Sequence, residues 1–283
     1  MFGVNIGLDS IQLAQVSKIR DKFYLEKYEI IDAAKALKNG FNIKIKEAVI
    51  TIPDEKNNFF TYSIENPKKY SIDAIKKIIT EKSKDFLKTP IEKLNTEFQV
   101  LRQYPKNGIS YLDIFAEIIN IDTLNNYRSI LEKLKIKPIA IDSSTYRLLN
   151  LCDAQNFALV NITKNEVIIF CCLDGKPKYT RRVTKEELKF PDNMLKLIDI
   201  KYLFRFIKDT LDYHIGNNNA KIEKLFMAGE FGNSNEFIQV LSQFLEIPVE
   251  VVSKTKRINL KSTIDEETLL KIAPCIGAVL GEL

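Results

Sequence analysis

The sequence predicts an α/β protein built from two lobes that begin alike. A strand–turn–strand–turn–strand pattern starts at residue 2 and starts again at residue 157. Stretches with apolar residues at three- and four-residue spacing, the mark of amphipathic helices, alternate with strands in both halves. The 283 residues leave room for one large domain or two ordinary ones. The repeat recurs at half-chain spacing, too long for a solenoid.

In the first half, 2–8 is a short apolar strand, and 11–16 and 23–31 alternate as half-buried strands. Gly7-Leu8-Asp9-Ser10 is a tight turn between the first two. Residues 47–52 form a strand that Pro53 stops, and 59–64 another. Ile72, Ile75, Ile78, Ile79 and Phe86 share one face of a helix that Ser71 caps. Strands at 97–103 and 112–119 flank a turn at 105–108. Asp122 is the expected cap of a helix that turns Leu124, Tyr127, Leu131 and Leu134 inward. A strand at 138–142 and a short helix at 144–151 complete this half.

The second half opens with a strand at 157–162, a turn at Thr163-Lys164-Asn165 and a strand at 167–173. Asp174-Gly175 is a hairpin signal, and 178–183 returns. A helix covers 200–214. A strand at 225–228 runs into the glycine turn Gly229-Glu230-Phe231-Gly232. Asn233 is the expected cap of a helix at 237–245, with Glu236 at capping-box spacing. A strand at 248–252 and a helix at 269–280, interrupted by Pro274 and Gly277, end the chain.

Composition narrows the function classes. Lys+Arg 42 against Asp+Glu 37 is a small excess spread along the chain, so no nucleic-acid partner is expected. Only Lys254-Thr255-Lys256-Arg257 forms a basic run, and it is short. No apolar run approaches the ~20 residues of a spanning helix, and residues 1–5 lack the pattern of a secretory signal. These features predict a soluble, cytoplasmic protein. Cys152, Cys171, Cys172 and Cys275 form no C-x-x-C pair and read as buried thiols rather than metal ligands. The single His214 has no nucleophile motif beside it and reads as structural.

Two lobes with glycine turns facing one cleft suggest phosphate binding. Backbone N–H groups in tight turns form anion nests, and glycine allows close approach. The turn Gly7 to Ser10, with Asp9, would approach from the first lobe, and the turn Ile162 to Asn165, with Thr163 and Lys164, from the second. Gly229, Glu230 and Gly232, opening a helix, would hold the base or ribose side. Hydrolysis would also need an acidic residue to hold a magnesium water shell or orient a nucleophile.

The order of these motifs resembles the PilM family of type IV pilus assembly proteins, actin-like relatives of the division protein FtsA. Phe2-Gly3-Val4-Asn5-Ile6-Gly7-Leu8-Asp9-Ser10 resembles the family's first phosphate motif. Ala158-Leu159-Val160-Asn161-Ile162-Thr163 resembles the second, and Met227-Ala228-Gly229-Glu230-Phe231-Gly232 the adenosine motif. Segments 97–101, 137–142 and 273–278 also fit, so the likeness spans nearly the whole chain.

The resemblance implies an actin-like, ribonuclease H-like fold. Residues 1–56 and 142–155 would form subdomain 1A, with the helix 269–283 returning to it. Residues 57–141 would form the inserted subdomain 1C. Residues 156–268 would form the second lobe, subdomain 2A with a 2B trimmed to roughly 185–221. The complete 1C argues against a sugar kinase or a chaperone ATPase. The trimmed 2B puts filament formation in doubt.

Five departures from the family pattern matter. Asn5 and Asn161 stand where aspartate is usual, and Thr163 where glycine is usual. Glu230 replaces a glycine, and Gln12 stands near a common lysine. The resemblance therefore implies weak or absent binding of ATP with magnesium, no catalytic residue and no resident metal. It also implies a partner: the cytoplasmic N-terminal tail of a PilN-like membrane protein, held between 1A and 1C by residues the sequence does not identify. Other pilus platform proteins and the assembly motor would join it at the inner membrane, which the chain would touch only indirectly. Two alternatives stay open: the cytoplasmic part of a type II secretion L-type protein, and an active actin-fold ATPase or kinase. The second would use Asp9 and Ser10 beside Gly7, or Asp142 at a strand end.

Overall fold

A computed structural model describes residues 1–54, 57–66, 69–87, 89–184, 186–188, 197–218, 221–232 and 234–283. The chain opens with β1 (Phe2–Ile6), β2 (Ser10–Ile19) and β3 (Lys22–Asp32), an antiparallel meander. Helix α1 (Ala33–Asn39) and strand β4 (Glu47–Ile52) follow. Then come β5 (Asn57–Glu65), α2 (Ile72–Leu87), β6 (Leu94–Lys106) and β7 (Ile109–Asn120), which form a separate three-stranded sheet ordered β5-β7-β6. The chain returns through α3 (Ile121–Leu134), β8 (Lys137–Ser143) and α4 (Ser144–Leu148).

The second lobe repeats the plan. Strands β9 (Phe157–Ile162), β10 (Glu166–Leu173) and β11 (Lys176–Thr184) form the meander. Helix α5 (Leu197–Asn218), β12 (Lys224–Gly229), α6 (Asn235–Leu245), β13 (Val249–Val251), β14 (Ile258–Leu260) and α7 (Glu266–Leu280) complete the chain. One sheet is ordered β14-β3-β2-β1-β4-β8 and the other β11-β10-β9-β12-β13. In both, the meander's first strand pairs in parallel with the next strand, which pairs in parallel with another. The weak repeat in the sequence is thus a repeat of topology.

Three boundaries differ from the sequence reading. Strand β8 pairs with β4 in the first-lobe sheet rather than joining the inserted unit. Helix α3 buries Leu124, Tyr127 and Leu131 against Val4, Ile50 and Ile136 of that lobe. The inserted unit is therefore 57–120. Strand β14 crosses back and pairs with β3, so the second-lobe sheet ends at β13. The stretch expected to be a trimmed 2B, roughly 185–221, contains α5, which packs Leu203, Ile207 and Leu211 on the second-lobe sheet; residues 185, 189–196, 219 and 220 lie outside the described residues.

Local details also shift. The cap of α3 is Asn120, whose side chain accepts from Asp122 N, and not Asp122. Asn233 lies outside the described residues, and Ser234 caps α6 by accepting from Phe237 N. Glu236 therefore does not complete a capping box. Ile72 and Phe86 are exposed at the two ends of α2, while Ile75 and Ile79 are buried. Pro274 does not break α7, which runs unbroken from Glu266 to Leu280.

Helix α7 lies between the lobes. A Cβ on Gly3 would sit 2.0 Å from Cys275 O, and one on Gly277 would sit 2.2 Å from Arg147 O. Both glycines let backbones touch where a methyl group would not fit. The resulting core is continuous across the lobes. It joins Ala14 and Val16 of β2, Phe170 of β10, Phe226 of β12, Ile272 and Ile276 of α7, and Phe115 of the inserted unit. Each large apolar side chain buried there contributes about 1.5–3 kcal/mol.

Candidate functional site

The three candidate turns follow β1, β9 and β12, and side chains of β1 and β9 reach the start of α4. The first turn is closed by Gly7 N–H donating to Ser10 O at 3.0 Å. A Cβ at Gly7 would meet Ser10 O at 2.8 Å, so the tight turn itself calls for glycine. Asp9 O accepts from Ala33 N at 3.0 Å, which ties the turn to α1. In the second turn Thr163 N donates to Glu166 O at 2.9 Å. The Thr163 hydroxyl oxygen accepts from Asn165 N at 3.4 Å and Glu166 N at 3.3 Å. The N–H groups of residues 7, 163, 165 and 166 are thus held inside their own turns. The anion nests expected from the sequence do not form from these groups. Lys164 sits at the tip of the second turn.

The third turn packs onto the second. Gly229 has φ +80°, and a Cβ there would lie 1.9 Å from Ile162 O and 2.8 Å from Asn161 Oδ1. Glu230 N donates to Ile162 O at 2.8 Å, and Gly232 N to Gly229 O at 3.1 Å. Glu230 is exposed, and Gly232 packs against Leu270.

Asn5 and Asn161, at the ends of β1 and β9, are the centre of the cleft. Asn5 Oδ1 accepts from Thr51 Oγ1 at 3.0 Å and Ser144 Oγ at 2.8 Å. Its Nδ2 donates to Gln12 Oε1 at 2.6 Å, and Gln12 Nε2 donates to Ser10 Oγ at 2.6 Å. Asn161 Nδ2 donates to Thr145 Oγ1 at 2.5 Å, and Thr145 Oγ1 donates to Asp54 Oδ2 at 2.6 Å. Asp54, buried, also accepts from Thr145 N at 3.1 Å and from Ser143 Oγ. Two networks of amides and hydroxyls result: one runs from Ser10 through Gln12 and Asn5 to Thr51 and Ser144, and the other joins Asn161 of the second lobe through Thr145 to the Asp54 carboxylate.

Burial pushes the Asp54 carboxyl above its ordinary range, against the lowering effect of its Ser143 and Thr145 donors and of Arg182. Glu117 of β7, near Asp54 and Asp142, is pushed well up, first by burial and then by those two carboxylates. Asp142 bonds Arg147, and the cap of α4 is Ser143, which accepts from Tyr146 N at 3.0 Å. The alternative catalytic reading of Asp142 therefore meets a carboxylate already paired. Among the described residues no group of three or more His, Cys, Asp or Glu side chains is placed to hold a metal.

Sequence reasoning did not find Thr51, Asp54, Ser143, Ser144 or Thr145. The run Ser143-Ser144-Thr145 after a strand was the available signal, since hydroxyls at a helix start cap it and reach neighbouring groups. Asp54 carried no signal, because its partners lie about ninety residues away, at |i−j| of 89 and 91.

An open cavity lies elsewhere. It holds about 450 Å³ where the inserted unit, α4, the interlobe linker (152–156) and the β10–β11 hairpin meet. Its polar lining includes Gln99, Tyr146 and Gln155 with charges of both signs, Asp153 and Asp174 beside Lys176 and Arg257, and Leu149, Phe157 and Pro177 are part of its apolar lining. Tyr146 OH donates to Gln99 Oε1 at 3.3 Å and so joins the inserted unit to the first lobe at its wall.

No family model matches the chain, and no curated protein matches it by sequence. In three dimensions it is similar to a PilM–PilN type IV pilus biogenesis complex, with TM-score 0.73 and 13% identity over 99% of this chain and 96% of that one. It is also similar to the cytoplasmic domain of EpsL, an inner membrane component of the Vibrio cholerae type II secretion system, with TM-score 0.51 and 9% identity over 96% and 93%. A Bacteroides thetaiotaomicron protein with an actin-like ATPase fold and unknown function gives TM-score 0.51 and 12% identity over 95% of each chain. The two matching sheets, the inserted three-stranded unit and these likenesses establish that the chain has the actin-like fold in a PilM-like form.

Proposed function

We propose that this protein is an actin-like scaffold of a type IV pilus or related assembly platform. It works in the cytoplasm, peripheral to the inner membrane, and holds the N-terminal tail of a PilN-like membrane protein. The observation that carries this is likeness to the PilM–PilN complex over 99% of the chain, inserted unit included. The cavity where that unit meets the first lobe is our candidate for the tail groove. Its volume falls in the range of ordinary binding pockets, and its amides, aromatics and Arg257 suit an extended peptide.

In the same reading the nucleotide site is degenerate. Magnesium with its waters is held by carboxylate oxygens, and the two facing residues here are neutral amides. Both already have hydroxyl partners, and freeing a buried polar group costs about 1–3 kcal/mol. ATP with magnesium then binds weakly or not at all, and the protein is a pseudo-ATPase. The likeness to the EpsL cytoplasmic domain supports a second reading, a type II secretion component.

The test is isothermal titration of the purified protein with Mg-ATP and, separately, with synthetic tails of a PilN-like protein and of a type II secretion partner. Heat from the PilN-like tail, abolished by Arg257→Ala, with none from Mg-ATP, is the expected result. Heat from the secretion tail alone would move the protein to the second reading. Tight Mg-ATP binding with no tail binding would overturn the scaffold and reopen the ATPase.

A further inference from the structure

Strand β11 is the edge of the second-lobe sheet and runs from the interlobe linker to the cleft. At the linker end Gly175 N donates to Gln155 O at 2.8 Å. At the cleft end Thr184 pairs with Glu166, beside the Thr163–Asn165 turn. The inserted unit lies along this strand and grips it at both ends. At the cleft end Arg182 bonds the buried Glu166 carboxylate through Nε, and its Nη1 donates to Asn57 O of β5 at 2.7 Å. At the linker end Lys176 Nζ donates to Leu101 O of β6 at 3.2 Å.

Aromatic rings close the space between. Phe170 of β10 meets Phe59 edge-on at 5.2 Å, and Phe115 stacks on Tyr146 of α4 at 5.1 Å. Phe115 and Phe170 lie 5.9 Å apart, so the rings of both lobes and the inserted unit form one cluster. Asn161 and Thr145 add a third polar link across the cleft. A hinge motion about the linker would part Arg182 from Asn57 more than Lys176 from Leu101, because Arg182 lies further from the linker along β11. The pair of Arg182 with Glu166 lies within the second-lobe sheet and would move as one, so what is lost is the charge-assisted hydrogen bond to the Asn57 carbonyl.

We propose that the inserted unit is a clamp that holds the two lobes at one fixed closure without any nucleotide. This goes beyond the scaffold reading and does not rest on what the cavity binds. The four native thiols are buried, so spin labels can be placed selectively at Lys38→Cys on α1 and Gln239→Cys on α6, both exposed. Double electron–electron resonance without ligand is expected to give one narrow interlobe distance. In Arg182→Gln/Lys176→Met the distribution is expected to widen and its mean to move by more than about 2 Å, the scale of a domain rearrangement. Phe59→Leu, which loosens the ring cluster without touching a charge, is expected to widen it too, and circular dichroism checks that each variant is folded.

A broad or bimodal distribution in the unmodified chain would overturn the clamp. So would folded variants that keep the native distance. Heat from Mg-ATP in the titration above, together with a narrow ligand-free distance, would sink the pseudo-ATPase reading and leave the clamp standing.

Discussion

Gly229 has a structural reason to be glycine that needs no ligand, and this can be measured. Gly229→Ala forces an alanine to φ +80° and puts its Cβ 1.9 Å from Ile162 O. The left-handed conformation alone costs roughly 1–2 kcal/mol. The Cβ must also push β12 from β9, where Gly229 pairs with Ile162 and Glu230 N bonds Ile162 O. Losing that hydrogen bond adds about 1 kcal/mol, and the displaced ladder adds more, for a total of about 3 kcal/mol or above. Gly175→Ala is the control in the same lobe: φ is +70° and nothing lies within 4 Å of its Cβ. It should cost only the conformational part. At about 2–4 °C per kcal/mol for a chain of this size, Gly229→Ala should lower the melting temperature by roughly 6–12 °C and clearly more than the control. Calorimetric scans of both variants without nucleotide decide it. Equal losses would refute the close-approach argument and return Gly229 to a purely ligand-facing role.

Three further outcomes follow from the same geometry. Arg147→Met removes the guanidinium that bonds Asp142 and, at 2.7 Å, Glu282 near the C-terminus. Urea unfolding should show a loss of about 2–3 kcal/mol, below that of a fully buried pair because both carboxylates keep some solvent contact. The exposed pair of Lys208 and Asp212 should give less than about 0.5 kcal/mol in the matching Lys208→Met. His214 is buried, and desolvation lowers its pKa below the ordinary value. Its neutral form stabilises the fold fully above the unfolded value of about 6.5, and this is lost as pH falls through the folded value. Asp54 has the opposite sign, its raised pKa contributing stability at low pH that is lost as pH rises. His214→Phe should therefore flatten the acid side of the urea-midpoint profile while leaving the Asp54 contribution in place. Burial pushes the thiols of Cys171 and Cys275 up to about 12 and those of Cys152 and Cys172 well up. Ellman's reagent at neutral pH should find no thiol in the native protein and four in urea.

What the sequence revealed and hid has physical causes. Strand β9 was legible from its first to its last residue because both faces are buried and its apolar run is nearly continuous. The meanders were legible because turn residues punctuate them, Asp174 and Gly175 both taking positive φ in the hairpin. Helix α1 left no periodic signal, since only Ala36 is buried along its seven residues. Strand β14 is three residues long and exists by pairing with β3, more than two hundred residues earlier, which no local pattern can announce. The candidate turns do follow β1, β9 and β12, but the inference from glycine to phosphate was ambiguous. Ser10 O, Ile162 O and Leu270 each crowd the position where a Cβ would stand on Gly7, Gly229 and Gly232. Packing within an actin-like lobe therefore asks for these glycines whether or not a phosphate ever arrives.

The departures at residues 5 and 12, separate in the sequence, are one change in the structure. Gln12 Oε1 accepts from Asn5 Nδ2, while Gln12 Nε2 donates to Ser10 Oγ. An aspartate at 5 would keep the acceptor role toward Thr51 and Ser144 but would turn an oxygen on Gln12 Oε1, two acceptors facing each other. A lysine at 12 facing Asn5 would put a buried cation beside an amide. Asn5 with Gln12 pairs donor to acceptor without charge, each side chain completing the other's hydrogen bonding. The same holds across the cleft, where Asn161 donates to a hydroxyl whose own proton is committed to Asp54. A carboxylate at 161 would leave Thr145 Oγ1 facing two carboxylates with a single proton to offer. The two amides are therefore matched to their neighbours, and introducing one carboxylate alone, by Asn5→Asp or Asn161→Asp, should lower the urea-unfolding midpoint; on the pseudo-ATPase proposal it should also give no heat with Mg-ATP.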